Sequence, residues 1–392
     1  MNVSMRGIIF AVAILTCRWP SVLAQESSTE LVHRGLSFSS APAASLQIES
    51  EHIAISPETI LIKYQVLNGT AQPVATILTL PLPDLDFSDP DTNWSIPAKD
   101  PINFIGLNAL VRQKPAALSF NQEAFLNGKN VSAVLRQNRL ALIPVGTFHD
   151  ELAALPPSVR EQLAAAGLLT RSGTDPAGNP LYFPSWSVKT QAKVKISFAP
   201  SESVAVELRS QTSLGFSPDS VLREPLRSTK ELASEVAGRQ ADYCTDKSFY
   251  GGVDKIITSF LAQKGKSPLE SPAGPAAQGQ DPGRSRETKS LDPPPNELHH
   301  DEGLNPQPQI SNGFPPANVA NIREWRIAYD LAAGASSAPV KDFRLLVDKS
   351  RTDRIVSFCL DGLKKVSPTA FEMRAADFSP SGLLRILLIG RE

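Results

Sequence analysis

Trp325-Arg326-Ile327-Ala328-Tyr329-Asp330-Leu331, Phe343-Arg344-Leu345-Leu346-Val347, Ile355-Val356-Ser357-Phe358-Cys359, Phe371–Phe378 and Leu384-Arg385-Ile386-Leu387-Leu388-Ile389 are short apolar runs separated by turn-like clusters. Runs of this length between turn signals read as strands. The third ends in Cys359. Its partner in a processed chain would be Cys244, in Asp242-Tyr243-Cys244-Thr245-Asp246. A covalent tie between the two would join the close of the second half of the chain to its beginning.

The whole chain has 392 residues, room for two or three domains at about 150 residues each. A hydrophobic share of 41% and a charged share of 20% fit a folded globular protein, and 33 prolines account for the slightly low apolar content. The net charge of −1 gives no overall field toward nucleic acid or an anionic membrane, so no nucleic-acid partner is expected.

Residues 1–24 read as a signal peptide. Arg6 is the positive n-region, Gly7–Cys17 the apolar h-region, and Val22-Leu23-Ala24 a small-residue cleavage site. The alternative is a retained anchor, but the run is shorter than the roughly 20 residues a bilayer requires. Thr16 stands where a lipoprotein signal would have a smaller residue. Cleavage after Ala24 removes Cys17 and leaves Cys244 and Cys359. In an oxidising compartment two cysteines read first as a disulfide, closing 359 − 244 = 115 residues, with a functional thiol as the competing reading.

Residues 25–212 carry strand patterning. Leu46–Ile55 alternates loosely through Leu46, Ile48, His52, Ile53 and Ile55, and Thr59–Leu67 places Ile60, Ile62, Tyr64 and Val66 on one face. Asn68-Gly69-Thr70 supplies a turn and Val74–Leu80 returns. Asn103–Arg112 and Arg139–Ile143 read as further strands. A helical insertion is expected at 150–170, with a capping box at Ser158–Glu161 and Gly167 as its stop. Trp186–Phe198 resumes the alternation with a one-step slip, and Val204–Leu208 follows.

Residues 213–264 form a helical connector. Thr229–Ala241 is moderately helical. Val253, Ile256, Ile257, Phe260 and Leu261 make an amphipathic face, and Gly251-Gly252 reads as a turn before it. Residues 265–320 differ: eleven prolines fall between Pro268 and Pro316 with hardly any large apolar side chains, the composition of a disordered segment. Residues 321–392 close the chain as a β-rich unit tied to 244.

Several ordered blocks resemble the bacterial exported family catalogued as domain of unknown function 4424. They are Ile55-Ser56-Pro57-Glu58, Tyr64–Asn68, Leu80-Pro81-Leu82-Pro83-Asp84, Tyr243-Cys244-Thr245-Asp246, Phe343–Lys349, Val356–Cys359, Pro368–Met373 and Ala376–Pro380. The resemblance implies export and a β-rich fold; it brings no activity or catalytic residues.

Candidate chemistry is sparse. Asp84, Asp86, Asp89 and Asp91 could offer oxygen ligands to calcium, but they lack the glycine and terminal glutamate of an EF-hand loop, and aspartate beside proline is ordinary turn chemistry. His299-His300-Asp301-Glu302 lies in the proline-rich stretch, where no scaffold fixes a geometry. His33, His52 and His149 are far apart in sequence. Glu58, Asp84 and Glu123 could form a hydrolytic carboxylate pair or be surface charges. No serine elbow, zinc pattern or phosphate loop is present, so no metal or cofactor is assigned. The expectation is a mainly β protein of antiparallel, sandwich-like sheets with short helical insertions and one disordered proline-rich segment. It would be exported to the periplasm or secreted and would bind an envelope protein, glycan or small ligand without catalysis. The alternative is a secreted hydrolase using loop carboxylates, with or without calcium assistance.

Overall fold

The computed structural model describes residues 30–38, 45–88, 95–144, 146, 148–175, 178–264, 320–332 and 339–391. The expected signal peptide, the proline-rich stretch up to 319 and the His299–Glu302 patch lie outside the described residues. The principal elements are β1 (Val32–Arg34), β2 (Leu46–Ile55), β3 (Thr59–Asn68), β4 (Val74–Pro81), β5 (Asn108–Val111), β6 (Ser119–Leu126), α1 (Pro157–Ala165), β7 (Ser187–Phe198), β8 (Ser203–Gln211) and β9 (Gly215–Ser217). They continue with α2 (Ala233–Tyr243), α3 (Lys247–Lys264), β10 (Ile322–Asp330), β11 (Val340–Asp348), β12 (Ile355–Phe358), β13 (Ala370–Phe378) and β14 (Leu383–Arg391).

The protein is mainly β, as its period-2 patterns imply. An eight-stranded sheet runs Lys364–Lys365, β13, β11, β2, β3, β8, β5, Lys114–Pro115. A six-stranded sheet has Lys129–Asn130, β6, β7, β4 and Ser37–Phe38 in order, with Leu85–Asp86 also on β7. A five-stranded sheet runs β1, β10, β14, β12, with β9 also on β10. Pairing is antiparallel except for β1 with β10 and β2 with β11. Strands from both ends of the chain therefore share two sheets.

Alternation sets the interior. Ile60, Ile62, Tyr64 and Val66 of β3 pack in one cluster with Val188, Ala192, Val194, Ile196 and Phe198 of β7 and with Ile327, Tyr329, Leu384, Ile386 and Leu388 from the third sheet. In β7 the alternation is unbroken. Thr190 is buried in register, with its hydroxyl accepting from Gln122 Nε2 at 3.1 Å, so no slip is needed. In β2 a bulge between Ile48 and Ser50 changes the parity. The buried set becomes Leu46, Ile48, Glu51, Ile53 and Ile55, which puts Glu51 in the core and leaves His52 on the other face.

β14 is buried on both sides. Leu384, Ile386 and Leu388 join the main core, while Leu387 and Ile389 meet Tyr243, Phe249 and Val253 of α2 and α3. Gly390 allows a close crossing: a Cβ there would lie 2.7 Å from Arg354 Cγ and 3.5 Å from Arg354 Cα. The Arg354 guanidinium sits over the Trp325 ring at 4.7 Å and pairs with Glu58 at 3.4 Å. Gly390→Ala is expected to destabilise the chain by about 1–3 kcal/mol through this overpacking, read as a lower urea midpoint.

Four local expectations change. Arg139–Ile143 is not a strand; it follows a helix at Ser132–Gln137, and Leu140, Leu142 and Ile143 are buried as loop, with Trp186 Nε1 donating to the Leu142 carbonyl at 2.7 Å. The strand expected over Asn103–Arg112 is confined to β5, and β6 was not anticipated. Two helices, Phe148–Ala153 and α1, fall in the 150–170 stretch, but no side chain caps α1; it starts on Pro157, and Glu161 instead accepts the Tyr182 hydroxyl at 2.5 Å. Gly251 and Gly252 lie inside α3, because Asp246 caps that helix by accepting from the Phe249 amide at 2.8 Å. That bond holds the Asp246 carboxyl below the usual range.

Candidate functional site

Two buried polar groupings and one small cleft hold the chemistry-bearing side chains. The first lies inside the sandwich. Glu51 and Tyr64 are cross-strand partners in β2 and β3, and Tyr329 of β10 belongs to the same buried cluster. Glu51 is 6% exposed, and burial pushes its carboxyl up to about 7, partly offset by the Tyr64 hydroxyl beside it. Tyr64 and Tyr329 are held protonated well above the usual phenol range, chiefly by burial and by the Glu51 charge. The Leu36 amide donates to the Tyr64 hydroxyl at 3.2 Å. Nearby, His33 Nε2 lies 3.2 Å from the Ser213 amide, and burial lowers its pKa to about 4, so the ring is neutral. The same nitrogen stands 3.3 Å from the Ser213 carbonyl, so a neutral ring accepts the amide or donates to the carbonyl according to its tautomer.

The Glu51 environment has a measurable pH signature. Folded, Glu51 keeps its proton to about pH 7, whereas its ordinary value is 4.5. Between those values the folded state binds more protons than the unfolded one, so stability falls as pH rises through this window. Glu51→Gln removes the contribution. Above pH 7 it is expected to be more stable than the parent by about 3 kcal/mol, with the difference vanishing below pH 4.5. Urea unfolding of both proteins across pH 4–8 checks this. Glu30 and His33 titrate in both chains and drop out of the difference.

The second grouping lies between the five-stranded sheet and α2. Glu324 and Arg326 on β10 are each 2% exposed and meet at 2.6 Å. Arg239 of α2 donates to Glu324 at 3.0 Å, and the Ser220 hydroxyl donates to it at 2.8 Å. Arg385 of β14 reaches Asp242 at 2.7 Å and Glu30 at 3.3 Å. Burial raises the Glu30 carboxyl to about 7, against the pull of Arg385 and Arg326. This network ties helix to sheet.

The cleft lies where the three sheets meet. Ile60, Ile62, Leu80 and Leu208 give it apolar walls, and His33, Arg34, Ser210 and Tyr329 give it polar points. It has room for roughly one water molecule. Arg34 stands 3.7 Å from Asp84.

The carboxylates considered for hydrolysis have separate partners. Glu58 binds Ser350 and Arg354, Asp84 pairs with Arg34, and Glu123 sits opposite Lys189 in the six-stranded sheet. Of the acidic run, Asp84 and Asp86 are described, and Asp86 accepts from the Ser88 amide at 2.9 Å; Asp89 and Asp91 lie outside the described residues. His52 meets Asp342 at 2.9 Å on the exposed face of the eight-stranded sheet, and His149 packs edge-on against Phe183. Sequence reasoning missed Glu51, Glu324 and Arg326. The alternation Ile322, Glu324, Arg326 was visible, but a charged face reads as solvated unless a covering helix is known.

The Cys244 and Cys359 sulfurs lie 2.05 Å apart, with their Cα atoms at 5.1 Å. Both residues are exposed. Among the described residues no helix is long and apolar enough to cross a membrane.

The model of the family described as Domain of unknown function (DUF4424) matches residues 24–271 and 311–387. The chain belongs to this family. The interval between the two matched parts of the DUF4424 chain falls within its proline-rich stretch. No curated protein matches the DUF4424 chain. Among solved structures, a chain from Legionella pneumophila subsp. pneumophila str. Philadelphia 1, described as a "putative nutrient binding protein", is similar at 10% identity with a TM-score of 0.40. The match covers 91% of the DUF4424 chain and 70% of the Legionella one.

Proposed function

We propose that this DUF4424 member works outside the cytoplasm, in the periplasm or secreted, as a non-catalytic binding protein. The observation that carries the location is the Cys244–Cys359 pair at bonding distance on an exposed surface. A solvent-accessible disulfide persists in oxidising compartments and is reduced in the cytosol. The binding reading is supported by where the reactive groups are engaged. Glu58 and Asp84 are paired with arginines, and His33 is held by Ser213.

The cleft is the proposed seat for a small ligand. Arg34, Ser210 and Tyr329 are placed to orient a polar group against the wall of Ile60, Ile62 and Leu208. Since the cleft admits roughly one water in this structure, a ligand must widen it, and binding should register as a shift in melting temperature. The test is a thermal-shift panel of small polar metabolites and short glycans, run beside a glycan-hydrolysis panel. A specific shift lost in Arg34→Ala supports the reading. Turnover on the hydrolysis panel would replace it with the hydrolase, and a shift indifferent to Arg34→Ala would move the site elsewhere.

A further inference from the structure

We propose that the Cys244–Cys359 bond is a redox-operated latch that holds the α2–α3 helical layer against the five-stranded sheet. The proposal rests on the reading above that the chain is oxidised outside the cytoplasm. Cys244 directly follows α2, and only Cys244-Thr245-Asp246 separates that helix from α3, so one tether fixes both. Cys359 directly follows β12, the four-residue edge strand of the sheet. Ser357 on that strand donates to the Tyr243 carbonyl at 2.8 Å, so bond and strand grip the same bend.

The interface beneath the bond is finely balanced. Tyr243, Phe249 and Val253 cover Ile322, Leu387 and Ile389 in a small cluster separate from the main core. The ion pairs Arg239–Glu324 and Arg385–Asp242 that tie helix to sheet add little beyond the desolvation of their charges, and the Tyr243 hydroxyl is buried with no hydrogen-bond partner among the described residues. Buried ion pairs recover little more than their desolvation, and an unpaired buried hydroxyl is a net cost. Cys244 itself has φ +52°, a left-handed conformation that a residue with a Cβ adopts at a penalty. A covalent tether can tip such an interface toward docking.

Both cysteines are exposed, so a thiolate can reach either sulfur. An external dithiol is the reductant. One of its thiolates attacks a cysteine sulfur, forming a mixed disulfide and releasing the other cysteine as a thiolate. The second thiol of the reductant then displaces the attached cysteine and closes its own disulfide. Two electrons pass to the protein, and the two thiol protons end on Cys244 and Cys359. The freed helices leave the Ile322, Leu387 and Ile389 surface open, with Glu324 and Arg326 in it.

The experiment is thiol counting followed by hydrogen-exchange mass spectrometry of the full processed chain, before and after dithiothreitol. No free thiols before and two after are expected. On reduction, exchange in 233–264 should rise by roughly tenfold or more relative to β3 and β8. Cys244→Ser with Cys359→Ser should show that pattern without reductant. Sheet protection is expected to fall with global stability, so helices that lose no more protection than β3 and β8 on reduction would overturn the latch. Two free thiols at the outset would instead strike the oxidised-chain reading, and the latch with it.

Discussion

Replacing Cys244 and Cys359 together by serine is expected to lower the free energy of global unfolding by about 4–5 kcal/mol. The figure follows from loop closure. The bond spans 115 positions, and freeing a loop of that size returns conformational entropy to the unfolded ensemble. Serine is close to cysteine in size, and both sites are exposed, so little packing is lost with the sulfurs. Urea unfolding of parent and double variant, monitored by far-ultraviolet circular dichroism, measures the difference. The parent in excess dithiothreitol should match the variant. A loss below about 1 kcal/mol would mean that the unfolded chain is already compact enough to make the tether redundant.

Arg326→Met is expected to cost about 3–5 kcal/mol, the range for breaking one member of a buried charge pair. Arg326 Nη1 donates to Glu324 and to the Ser217 hydroxyl at 2.9 Å, and Nη2 donates to the Phe216 carbonyl at 3.2 Å. Methionine fills much of the volume but leaves Glu324, at 2% exposure, with Arg239 and Ser220 alone. Glu30 also loses one of the cations that oppose its burial. Glu324→Met in the same chain is expected to recover most of the loss. Arg239 then remains partly solvated beside Glu235, 3.7 Å away. The urea midpoints of single and double variants form the cycle that reads this. A double variant no better than Arg326→Met would show that packing, not the unpaired charge, sets the cost.

Where one side of a strand met solvent and the other met core, its residues announced both. β3 and β7 were legible this way, and the cysteine pair was legible from count and from the expected loss of Cys17 with the signal peptide. Three physical features escaped. β14 is covered on both faces, so its apolar run carries no alternation from which to read a partner. The bulge in β2 moves Glu51 inward and His52 outward, an exchange that spacing alone does not show. The charged residues of β10 lie beneath α2, so their burial depends on a contact between segments about 85 positions apart. Gly252 depends on a tertiary contact in the same way. Gly252 sits mid-helix because Ile355 packs 3.2 Å from where its Cβ would be, which is a tertiary demand rather than a turn.

The parallel seam between β2 and β11 joins Ser50 to Asp342, some 290 positions downstream. During synthesis, the hairpin of β2 and β3 must wait with one flank unzipped until β11 has emerged. Such late closure predicts slow, aggregation-exposed maturation. Shielding that flank until β11 arrives would then raise the yield of folded protein.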